Sequence, residues 1–92
     1  MLQFEELRLK LQGMEPELRE LKQSLNIDKL GIEIAELERK AAEPSFWDDM
    51  ENSQKVLQRT SQLKASVETY NKLQSLYEDT LTLIELAEEA GD

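Results

Sequence analysis

From Met50 to Glu88 the chain has no glycine and no proline. A stripe runs through that stretch at spacings of three and four: Val56, Thr60, Leu63, Val67, Tyr70, Leu73, Tyr77, Leu81 and Ile84. Leu57, Leu76 and Ala87 widen it. This is the period of one helix face. At 1.5 Å per residue such a helix is roughly 58 Å long. In a chain of 92 residues, only other helices laid along this rod have the length to cover its apolar face. The expected fold is all-α: a three-helix bundle with antiparallel, coiled-coil-like packing and one long C-terminal helix.

The first helix is expected over about residues 2–25. Phe4, Leu7, Leu11, Met14, Leu18, Leu21 and Leu25 alternate spacings of 3 and 4, an a/d seam. Gly13 and Pro16 interrupt it, and an interior proline costs ~3 kcal/mol. A bend or a break is expected there, and the continuing apolar phase favours a bend. "SLNID", residues 24–28, reads as a turn of side chains that bond their own backbone, with Asp28 as N-cap. A second helix follows over about residues 29–42, with Leu30, Ile34, Leu37 and Ala41 on one face. It ends before Pro44, because the residue preceding proline is pushed out of the α region. The long helix is expected over about residues 49–88, capped by Asp48 or Asp49, with Asp48 and Glu51 at capping-box spacing. The chain reads as a single domain over residues 1–92. A chain this short buries only about 60–65% of its unfolded surface, so the core is thin.

The net charge is −9, from 20 acids and 11 bases. Such a chain lacks the basic stripe that displaces counterions from phosphates, so no direct nucleic-acid binding is expected. An anionic membrane would repel it too, and no apolar run reaches the ~18 residues needed to span a bilayer. The N-terminus has no apolar signal segment. A cytoplasmic protein is expected, and an acidic surface suits a basic protein partner or serves solubility. Residues 44–92 carry 10 acids and 4 bases, against 10 and 7 in residues 1–43. From Glu78 to Asp92 there are six acids and no base. Acids at a helix C-terminus oppose the macrodipole. That end either frays or meets something basic, and Glu85, Glu88 and Glu89 are its candidate partner-facing residues.

Catalysis is hard to build from these residues. The chain has no histidine and no cysteine, hence no tunable imidazole and no thiolate. Serine, threonine and tyrosine lack an evident activating base and oxyanion hole. The adjacent acid pairs Glu5–Glu6 and Glu88–Glu89 point about 100° apart on a helix and do not converge on an ion. Asp48 and Asp49 lie in a turn, where capping is the better reading. No catalytic residue, cofactor or metal site is expected, and the chain is not read as an enzyme.

"PSFWDD", residues 44–49, holds the single tryptophan. Pro44 stops one helix and Asp48 or Asp49 starts the next. Phe46 and Trp47 between them are expected to plug the end of the bundle, much as a hydrophobic staple does. The competing reading makes Trp47 an exposed contact residue. Tyr70 and Tyr77, one heptad apart, read as core with hydroxyls at the rim, or as a partner-facing pair.

"EPSFWDDMENSQKVLQ" followed by "VETYNKLQSLYEDTLTLIELAEEAGD" resembles the amino-terminal helical domain of bacterial class I peptide chain release factors, most closely type 2. The tryptophan turn combined with the "LIELAEEAGD" ending carries the likeness, and "LKQSLNIDKLGIEIAELE" adds to it more loosely. Met50 departs from the proline that relatives often place at the first helical position. The resemblance implies a fragment of a longer protein that ends translation at UAA and UGA. It implies contact with the stalk base of the large ribosomal subunit and a link to the GTPase release factor 3. The family's Ser-Pro-Phe decoding tripeptide and Gly-Gly-Gln catalytic loop do not occur in this sequence. The alternative is an unrelated helical-bundle or coiled-coil adaptor whose seam mediates self-association.

Overall fold

A computed structural model of the chain describes residues 2–91. Every regular element among them is helical: α1 (Leu2–Gln12), α2 (Glu15–Leu25), α3 (Ile27–Ala41), a short 3-10 helix (Pro44–Asp48) and α4 (Met50–Gly91). The all-α class and the long C-terminal helix follow the glycine- and proline-free stretch. With 42 residues, α4 is about 63 Å long.

The breaks between helices have local causes. Gly13 N–H donates to the Leu9 carbonyl and Met14 N–H to the Leu11 carbonyl, which closes α1. Pro16 then takes the second position of α2, in the first turn, where its missing N–H costs nothing. The "SLNID" turn contracts to one residue. Asn26 adopts φ 55° and ψ 53°, the left-handed region, and α3 starts at Ile27. Asp28, expected as the cap, lies inside the first turn of α3, where its charge suits the dipole. Asparagine tolerates the left-handed conformation better than most residues, so one residue suffices where a turn over residues 24–28 was expected. α3 closes at Ala42, and Glu43 turns extended (ψ 139°) as its place before Pro44 requires.

The chain folds as two compact units, and α4 contributes to both. The first joins the chain up to Ser24 with the segment from Tyr70 onward; the second is Leu25–Thr69. In the first unit, Arg8 meets Glu88 while Leu18 and Leu21 share a groove with Leu73 and Tyr77. One side rises in sequence as the other falls, so the packing is antiparallel. In the second unit Glu33 pairs with Arg59 and Glu38 with Lys64. These pairs are largely exposed and contribute little each.

The core is thin. Among the described residues, the buried apolar side chains are Phe46, Leu63 and Tyr70, and the buried polar ones are Ser53 and Thr60. Two seam positions depart from expectation. Leu7 is 49% exposed and Met14 is 52% exposed. Arg8 takes the half-buried place instead of Leu7, its stem covered on the way to Glu88. Met14 sits in the gap between α1 and α2, where no helical face presents it. Leu73 of the α4 stripe is likewise exposed, and its neighbour Gln74 is half-buried.

Candidate functional site

The turn between α3 and α4 is built around Ser53. Its side chain is fully buried, and its hydroxyl donates to the carbonyl oxygens of Phe46 and Asp49, the latter at 2.9 Å. One proton thereby ties the 3-10 helix to the first turn of α4. Phe46 N–H donates to the Glu43 carbonyl. Asp49 Oδ1 accepts from Asn52 N–H at 3.1 Å, which is the N-cap geometry of α4. Asp49, rather than Asp48, is thus the cap. Its partner three residues on is Asn52, so the Asp48–Glu51 spacing goes unused; Glu51 instead reaches Lys55 at 3.5 Å.

The two aromatics separate. Phe46 is 7% exposed and Trp47 is 55% exposed. Both rings were expected to pack inward, with an exposed Trp47 as the competing reading; Phe46 is buried and Trp47 is exposed. The cause is the 3-10 geometry. With three residues per turn, neighbours point about 120° apart, so one faces in and the next faces out. The rings meet edge to face, with centroids 5.1 Å apart and planes at 84°, an arrangement aromatic pairs prefer. Pro44 occupies the first position of the 3-10 helix, and Asp48 closes it. Both are exposed.

The acidic end of α4 does not fray among the described residues: the helix continues to Gly91. Leu81, Ile84 and Ala87 are half-buried, so tertiary packing outweighs the unfavourable dipole. Glu88 meets a base within the chain, its Oε2 lying 3.0 Å from Arg8 Nη1. Its Oε1 is covered and has no hydrogen-bond partner among the described residues. Glu85 and Glu89 remain exposed. Asp92 lies outside the described residues.

A third feature escaped sequence reasoning. Where α1 gives way to α2, an open groove of about 410 Å³ is lined mainly by Leu11, Met14, Leu18, Leu21, Leu76 and Tyr77. Tyr77 is half-buried, and Tyr70 is buried with its hydroxyl 3.3 Å from Gln74 Oε1. Ser53 was missed as well. The signal was available, because the stripe Val56–Thr60–Leu63 extended back by three residues lands on it.

No three described acidic side chains form a group suited to a metal ion. No helix of the described residues is long and apolar enough to cross a membrane.

Fold and site together define an all-helical module whose distinctive side chains, an outward-facing tryptophan and an acidic helix end, lie on its surface. The chain belongs to the PCRF domain family, whose model matches residues 30–92. It is similar to peptide chain release factor 2 of Exiguobacterium sp., at 35% identity over 91 residues, which are 99% of this chain and 25% of that protein. The release factor 2 of Rickettsia bellii is 39% identical over 79 residues, 86% of this chain and 22% of that protein. That of Streptomyces avermitilis is 38% identical over 82 residues, 89% of this chain and 22% of that protein. The chain therefore spans about a quarter of the length of these relatives. No solved structure matches it.

Proposed function

We propose that this chain is the amino-terminal helical domain of a factor that ends translation at UAA and UGA codons. In this reading it is an interaction module without chemistry of its own, and it works in the cytoplasm. Its partner is the stalk base of the large ribosomal subunit, with release factor 3 as a further partner. The observation that carries the reading is the alignment of release factor 2 sequences over 99% of the chain, tryptophan turn and acidic ending included. The net charge of −9 supports a basic protein as the ribosomal contact, since rRNA phosphates repel such a surface. Decoding and peptidyl-tRNA hydrolysis belong to other parts of the factor, because neither the Ser-Pro-Phe tripeptide nor the Gly-Gly-Gln loop stands in these residues.

Two measurements test this. Reading the gene past codon 92 is expected to reveal an in-frame Gly-Gly-Gln; an open reading frame without one overturns the proposal. A peptidyl-tRNA hydrolysis assay on the 92-residue chain is expected to be blank.

A further inference from the structure

The largest apolar side chain of this protein stands largely exposed on a turn held by hydrogen bonds from a buried serine. Trp47 is 55% exposed, yet the residues beside it are tied by packing and hydrogen bonds. Phe46 beside it is buried and holds the indole edge to face. The carbonyls of Phe46 and Asp49, on either side of Trp47 and Asp48, are both bound by the buried Ser53 hydroxyl. Asp49 in turn caps α4. A tryptophan left outside for want of room would not need a scaffold that sets its backbone on both sides. A ring presented this way loses little conformational entropy on binding. Tryptophan is also among the residues most enriched at the energetic centres of protein interfaces.

The charge around the ring selects the kind of partner. Between Lys40 and Lys55 lie Glu43, Asp48, Asp49 and Glu51, with no base among them, and Glu51 reaches Lys55 at 3.5 Å. Nucleic acid and anionic lipid are repelled by such a collar. A second copy of the chain brings the same collar and another net −9. A basic protein surface meets the collar with complementary charge.

We infer that Trp47 is the anchor of a protein–protein contact, entering an apolar pocket that is edged by lysine or arginine on a basic protein. This rests on the functional reading above, and places the docking contact at the α3–α4 turn rather than at the acidic end of α4.

The test compares the chain with its Trp47→Ala and Trp47→Phe variants by cosedimentation with large ribosomal subunits, beside thermal unfolding of each. The expected result is a loss of affinity of about thirtyfold for Trp47→Ala with its melting temperature nearly unchanged, and partial retention for Trp47→Phe. Equal binding of wild type and Trp47→Ala overturns the inference and leaves the functional reading standing. No binding by the wild type overturns the functional reading, and this inference with it. A melting temperature lowered by about 5 °C or more in Trp47→Ala shows a packing role and also overturns the inference. So does retention of the wild type on protein-free ribosomal RNA, or a Trp47-dependent dimer in sedimentation of the chain alone.

Discussion

Ser53 contributes one hydroxyl proton to the junction of two elements, and replacing it exposes how much rests on it. Ser53→Ala leaves the Phe46 carbonyl without its hydroxyl partner next to a buried ring. The expected cost is about 1–2 kcal/mol, read from the urea midpoint at unchanged m-value. Asn26 tests a different residue-scale effect. At φ 55° and ψ 53° asparagine is tolerated better than alanine, because its short polar side chain can bond locally, so Asn26→Ala should destabilise by about 1 kcal/mol. Asn26→Gly should be neutral or slightly stabilising by the same measurement, since glycine adopts this region freely. Ser53 was within reach of the stripe Val56–Thr60–Leu63, whereas Asn26 was not legible as such. Asn26 lay within a stretch whose several turn formers look alike in sequence, and only the backbone angle separates it from Ser24 and Asp28. Trp47 was legible as a turn residue, and its exposure only as the competing reading. The sidedness of a 3-10 helix depends on which residue begins it, and hydrophobicity alone sends both rings inward.

At the scale of elements, α4 was the most legible part of the chain. Its stripe from Val56 to Ile84 is half-buried or buried at most positions, and the absence of breakers ran true to its length. The seam of α1 and α2 was less so. The 3-and-4 pattern placed Leu7 and Met14 inside, whereas the half-buried line passes through Phe4, Arg8, Leu11, Leu18 and Leu21. An arginine on a half-buried line is invisible to an apolar pattern unless its acid is known, and that acid lies 80 positions away at Glu88. This pair adds to the packing that holds the last turns of α4. Arg8→Ala should cost about 1 kcal/mol, because the pair is only partly covered. It should also speed amide exchange in residues 85–91, measured by hydrogen–deuterium exchange, while leaving the exchange of residues 56–67 unchanged.

For the whole molecule, charge and core size set the terms. Few side chains are fully buried, so stability rests on half-covered stripes along the helices, as a short chain's surface-to-volume ratio demands. The composition announced both the helical class and the acidic surface. It did not announce that the chain divides into two units, since no linker, glycine run or change in composition marks Leu25 or Tyr70. The division is one of contact, made wherever the helices that face α4 change.

That division nests one unit inside the other along the chain, and the nesting has a kinetic side. The Leu25–Thr69 unit is contiguous, and its Glu33–Arg59 pair spans only 26 positions. The Arg8–Glu88 pair of the other unit spans 80. Closing the longer loop costs about 1 kcal/mol more in chain entropy. On a translating ribosome the inner unit is complete before the outer unit's second half has been made. Pulse-labelled refolding should therefore protect the amides around Leu63 before those around Ile84, with simultaneous protection as the contrary result. The segments that carry Arg8 and Glu88 are the last parts to meet.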